Sequence, residues 1–171
     1  MMKKTISFEK RIKKIIVKIV MFVLGKAIQS ASRWDSIVRH EVARWPDNLT
    51  FALDVLPWGP RMAMKKQKGR LKYLGDGPKE VDLLISFKNI ECAFLVFAGL
   101  MGTEQGAAER RTIVKGNLAV ALSLIRIMNL MVVYLYPKFW SQRLVKRVPR
   151  LSLKQHALRV YIILIGIPTG I

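Results

Sequence analysis

His40 and His156 are the two histidines of this 171-residue chain. Neither has a cysteine or carboxylate at a spacing that reads as a metal set, so each reads as a surface or helix-packing histidine. Cys92, the single cysteine, excludes an internal disulfide. It lies in an apolar run, where a free thiol packs as a small hydrophobe, and this points to a reducing or at least disulfide-independent compartment. Gly99, Gly102 and Gly106 punctuate a loop, but no Gly-Lys-Ser/Thr follows to cradle a phosphate. Glu104 and Glu109 share that loop with Arg110 and Arg111, the composition of a solvated, salt-bridged turn. There is no Gly-x-Ser-x-Gly elbow. The residues that make and break bonds are therefore missing in any productive pattern, and the expectation is a protein that is not an enzyme, with no metal and no catalytic residue.

What the chain has in quantity is positive charge set among aliphatic side chains. Of the +19 net charge, residues 1–26 hold +7, residues 138–171 hold +7 with no acid, and the stretch between holds +5. At 100° per residue Phe8, Ile12, Ile15, Ile16, Ile19 and Val23 fall on one arc, with Lys10, Arg11, Lys13, Lys14 and Lys18 on the other side. That is the pattern of a helix lying in a membrane interface, lysine stems snorkelling toward lipid phosphates. Ile12, Ile15 and Ile19 with Lys10, Lys13, Lys14 and Lys18 are the expected contacts, joined by Arg143, Lys146 and Arg147 from the C-terminal end. The expected location is peripheral, on the cytoplasmic face of a membrane, with anionic lipid as partner. The competing reading packs the same stripe on the protein's own core. A span is too long for the Ile19–Gly25 run, and Lys18 and Lys26 disfavour a signal peptide cut near Ser30-Ala31-Ser32. Nucleic acid is disfavoured as a partner because the terminal cations alternate with Ile, Val and Leu rather than with solvated polar groups and stacking rings.

Between the ends the periodicity changes. Residues 27–44 have helical spacing and end at Trp45-Pro46-Asp47. Leu49–Leu56 alternates, Pro57-Trp58-Gly59-Pro60 is turn chemistry, and Arg61–Met64, Arg70–Leu74 and Val81–Phe87 read as further strands. Asn89 is placed to cap a helix from Ile90 to about Met101. A short strand at Thr112–Val114 and an apolar helix from about Leu118 to Tyr136 follow. The 22 residues from Gly116 to Pro137 carry only Arg126 as a charge and are long enough to cross a bilayer. The strand that feeds them and Asn129 beside Arg126 favour a helix packed on the domain.

From Val81 to Ser123 the chain resembles the sterol carrier protein 2 family. The resemblance rests on a strand ending in Ser86-Phe87, an apolar helix, a loop with Ala107 and Ala108, and then Ile113-Val114-Lys115-Gly116-Asn117 leading into Leu118-Ala119-Val120-Ala121-Leu122. Asn117 stands where that family usually has Asp, and Glu109-Arg110-Arg111 replaces small residues before the final strand. The resemblance implies an α+β single domain, a mostly antiparallel sheet of about five strands covered by helices, here with basic amphipathic helical extensions at both ends. The divisions are residues 1–26, 27–137 and 138–171. It also implies an apolar tunnel for a fatty chain, sterol, isoprenoid or quinone-like lipid, the one bound group expected. Candidate wall residues are Phe51, Leu53, Met62, Met64, Leu84, Phe94, Phe97, Met101, Leu122, Ile125 and Met128, with methionines suited to varied guests. The alternative is an accessory or structural subunit that docks on a membrane-complex protein partner.

Overall fold

Two stripes of apolar residues run along the first helix, and only one of them packs inward. In the computed structural model, which describes residues 8–135 and 153–166, α1 spans Phe8–Trp34. Val17, Met21, Leu24 and Ile28, spaced by four, three and four, are buried in the core. Each contributes about 1.5–3 kcal/mol by leaving water. Phe8, Ile12, Ile15, Ile19 and Phe22 lie nearly opposite and stay exposed. The helix runs past Lys26, so the expected 27–44 helix is the last turns of α1 followed by a separate α2, Ser36–Ala43. Asp35 makes the break. Its amide closes α1 on the Ala31 carbonyl, while its carboxylate caps α2 by accepting from the Ile37 and Val38 amides at 2.8 and 3.0 Å. The same buried carboxylate accepts the Tyr134 hydroxyl.

The strands are β1 Thr50–Val55, β2 Arg61–Gln67, β3 Arg70–Tyr73, β4 Leu83–Phe87 and β5 Thr112–Gly116. They form one sheet in the order β3-β2-β1-β4-β5, antiparallel except for the β1–β4 pair. Register puts Phe51, Leu53, Val55, Met62, Met64, Leu83, Ile85 and Phe87 on one face, all buried in the core beneath helices. Those helices are α1, α2, α3 (Ile90–Phe97) and α5 (Leu118–Leu135). The short α4, Thr103–Ala108, occupies what sequence spacing reads as loop, because its six residues carry no apolar period. Near the C-terminus, α6 spans Leu153–Tyr161 and continues as a π-helical turn, Ile162–Gly166. The other sheet face is covered near Ala63 by Gly77, where a Cβ would come within 2.3 Å of the Ala63 Cβ. The α+β class, the five-strand sheet and its mostly antiparallel pairing are those expected.

A sheet edge is a row of unpaired amides, and α1 disarms one of them. The Leu71 amide of β3 donates to the Ser32 hydroxyl at 3.1 Å, and the Tyr73 amide donates to the Gln29 side chain at 2.7 Å. Gly25 lets the helix come this close, since a Cβ there would meet the Tyr73 ring at 2.5 Å.

By length and composition α1 and α5 could each cross a membrane, yet 56% of each apolar window is buried within the protein. Arg126, the charge within α5, donates through Nε and a terminal nitrogen to Glu41 of α2 at 2.9 and 2.8 Å. Ser123 donates to the same carboxylate at 2.6 Å and accepts from the Trp45 indole at 2.8 Å. These bonds, the Arg126 pair first, hold the Glu41 carboxyl down from 4.5 to about 2. A folded-state value below the unfolded one stabilises above the ordinary carboxylate range and is lost as pH falls through the folded value. Glu41→Gln should therefore cost about 1–2 kcal/mol at neutral pH, the half-exposed guanidinium limiting the gain by solvent screening. Urea unfolding should show the gap between wild type and variant closing from about pH 4.5 down to about pH 2; a gap independent of pH would refute this account of the cluster.

Candidate functional site

Where α1, α3 and α5 meet above the sheet, their side chains do not fill the space. The cavity is about 40 Å³ and lined by Val20 and Leu24 of α1, Val96 and Phe97 of α3, Met101 and Gly102 beyond it, and Met128, Asn129, Val132 and Leu135 of α5. Phe97 is held by an edge-to-face contact with Phe87 of β4, ring centres 5.2 Å apart. The methionine chains at positions 101 and 128 are the adaptable part of the wall, since an unbranched thioether changes rotamer more cheaply than a branched or aromatic side chain. The cavity lining is apolar apart from Asn129.

Of the expected wall residues, Phe97, Met101 and Met128 line the cavity. Phe51, Leu53, Met62 and Met64 lie fully buried on the inner face of the sheet. Phe94 is half-buried against the core, with the Lys13 ammonium 5.8 Å from its ring centre. Ile125 is half-buried, and Leu122 is 49% exposed. Leu84 pairs with Ala52 and so takes the face opposite Phe51 and Leu53. Val20, Leu24, Val96, Val132 and Leu135 are wall residues that sequence reasoning missed. The pairs 20/24 and 128/132 have the i, i+4 spacing that could have flagged them, but spacing alone does not say which helices face each other.

The second feature is the outward stripe of α1. Ile12, Ile15 and Ile19 are 43%, 59% and 56% exposed. The expected basic contacts divide. Lys10 lies 3.9 Å from Glu91 of α3, and Lys13 pairs with Glu9 one turn back. Lys14 donates to the Trp58 carbonyl at 2.6 Å, which brings an 86% exposed indole-bearing turn beside the stripe. Arg11 and Lys18 are exposed and have no ion pair among the described residues. Arg143, Lys146 and Arg147 lie outside the described residues.

His156 is exposed on α6, and His40 on α2 has its Nε2 3.3 Å from an Arg44 nitrogen. Among the described residues no three His, Cys, Asp or Glu side chains cluster to hold a metal ion. The turn expected at Glu109 is salt-bridged, its carboxylate accepting from Arg111 at 2.6 Å and from Gln105 at 2.7 Å.

No family model matches this chain, and no curated protein matches it by sequence. Among solved structures it is similar to a UbiJ-SCP2 ubiquinone synthesis protein, 12% identical, with a TM-score of 0.45 and an alignment covering 61% of this chain and 90% of that one. It is also similar to sterol carrier protein 2 like 2 from Aedes aegypti, 10% identical, with a TM-score of 0.35 and coverage of 54% and 93%.

Proposed function

We propose that this chain binds a hydrophobic ligand without turning it over while attached to the cytoplasmic face of an anionic membrane. The observation that carries the reading is the double role of α1. Its inner side supplies Val20 and Leu24 to the cavity wall, and its outer side leaves a stripe of large apolar residues in solvent. A bilayer that takes the outer stripe lies one helix diameter from the cavity, so an acyl, sterol, isoprenoid or quinone-like chain can pass between them with little exposure to water. The resting volume of about 40 Å³ is far below the roughly 300–1,000 Å³ of a small-molecule site. Ligand entry must then widen the space by moving α3 or α1 outward and turning Met101 and Met128.

Organic extraction of the purified chain followed by mass spectrometry should yield one lipid species in stoichiometric amount. Met128→Trp, which fills the cavity, should lose that species. The overpacking should cost no more than about 1–3 kcal/mol, leaving the protein folded. A wild-type chain with no extractable lipid, or a Trp variant that retains it, would remove the ligand half of the reading.

A second reading has its own observation. Val114, Leu118 and Leu122 are exposed where β5 runs into α5, and Leu100 is exposed beyond α3. An apolar surface there suits a protein partner, as an accessory subunit of a membrane complex would need. Native mass spectrometry separates the two, since a retained lipid and a retained protein give different masses.

A further inference from the structure

A second basic surface lies away from the cavity. Between the last turn of α1 and the β2–β3 hairpin is an open groove of about 820 Å³, with Arg33, Asn48, Gln67, Lys68, Arg70 and Lys72 in its wall and no acidic residue in it. Several cations elsewhere are paired with acids, Arg61 with Asp54, Lys66 with Asp47, Arg111 with Glu109 and Arg126 with Glu41. Four cations, Arg33, Lys68, Arg70 and Lys72, line this one groove, and none has an ion pair among the described residues. The Nε of Arg33 is buried and has no acceptor there. A guanidinium N–H withdrawn from water and left unbonded needs an acceptor from outside, and neighbouring like charges need an anion. Lys68 and Gly69, both with positive φ, form the tight turn that holds the hairpin in place as the groove's wall.

We infer that this groove binds a phosphate group. Several acceptor oxygens on one compact anion match two guanidinium forks and two ammonium groups better than the two oxygens of a carboxylate do. At 100° per residue Arg33 falls on the face of α1 that carries Ile15, Ile19 and Phe22, and it lies about 16 Å beyond Phe22 at 1.5 Å per residue. The apolar stripe thus ends in a phosphate site, the order that a phospholipid surface would require. The shared chemistry is a phosphomonoester or phosphodiester, either on a lipid headgroup or on a small soluble molecule. Only the lipid source rests on the membrane reading.

The test uses the full chain in two arms. Calorimetry with glycerol 3-phosphate and with pyrophosphate measures the soluble source. Flotation with vesicles of phosphatidylcholine, alone or mixed with phosphatidylglycerol, measures the lipid source. Arg33→Gln combined with Arg70→Gln should weaken binding about tenfold or more in at least one arm. Lys68→Gln combined with Lys72→Gln, both on the exposed hairpin where folding is not at risk, should weaken it in the same arm. A difference with soluble phosphates assigns a free phosphate, and a difference only on mixed vesicles assigns the headgroup; either supports the site. Wild type and both variants binding alike in both arms overturns it, as does capture of single-stranded RNA by a wild-type chain that ignores every phosphate probe. If serine variants of the α1 stripe float like wild type while the Arg33 and Arg70 variant loses phosphate, the membrane reading fails and this site stands.

Discussion

Changing Ile12, Ile15 and Ile19 together to serine should abolish salt-resistant binding to anionic vesicles and leave the fold intact. All three side chains are about half exposed, and exposed substitutions of this kind usually change stability by less than about 0.5 kcal/mol each. On a bilayer the same side chains would be buried below the headgroups, at about 1.5–3 kcal/mol for each one fully withdrawn from water. Even partial insertion of three gives about 4 kcal/mol, or roughly a thousandfold in affinity. The charge term behaves differently. Arg11, Lys14 and Lys18 each supply about 1 kcal/mol near an anionic surface, and salt removes that contribution as the screening length shortens. Changing these three to glutamate should remove the salt-sensitive part, whereas changing Lys10 and Lys13 should do less, because Glu91 and Glu9 already engage them. Sedimentation with vesicles across a salt series reads both terms. The membrane reading is lost if the wild-type protein stays in the supernatant with anionic vesicles at low salt, or if the serine variant unfolds.

The strands were readable because they are short and bounded by turn residues, and the alternation of Leu49–Leu56 says which of its side chains share a face; the register between strands was not legible. Phe51, Leu53 and Val55 could point only one way. The first helix was harder, because α1 is apolar on two sides. Periodicity identified the arc of Ile12, Ile15 and Ile19, but equally good spacing joins Val17, Met21, Leu24 and Ile28 on the other side. Which arc packs is decided by the sheet and by α3 and α5, far away in sequence. For the same reason α1 was not expected in the cavity wall. Asp35 was missed as a breakpoint since helical spacing continues on both sides of it; its signal was a short carboxylate placed to accept the amides two and three residues on. The basic turn at residues 65–70 was visible as charge, but only the approach of Arg33 from α1 makes a groove of it.

The Lys115-Gly116-Asn117 junction, which carried much of the family resemblance, has a physical explanation that sets the last expected result. Gly116 closes β5 opposite Leu83 with φ of 121°, a conformation other residues rarely adopt. A Cβ there would lie 2.3 Å from the Asp82 carbonyl oxygen and 3.0 Å from the Leu83 Cα, both backbone atoms that cannot rotate aside. One residue on, the Asn117 side chain accepts the Ala119 and Val120 amides at 2.8 and 3.3 Å, capping α5. Strand pairing and helix capping thus meet across a single peptide, and the glycine permits the change of direction between them. Gly116→Ala must either pull β5 off β4 or rotate the cap away from α5. It should cost about 3 kcal/mol or more, adding the strain of that backbone region to the clash, a large share of the 5–15 kcal/mol typical of a domain. Asn117→Asp should change stability by less than about 0.5 kcal/mol because both side chains cap equally well, and Asn117→Ala should cost about 1 kcal/mol. Denaturant unfolding should therefore rank Gly116→Ala far below Asn117→Ala, with Asn117→Asp beside wild type. A Gly116→Ala protein that unfolds at the wild-type midpoint would mean that β5 does not pair with β4 through Gly116 and that α5 starts from a different backbone path.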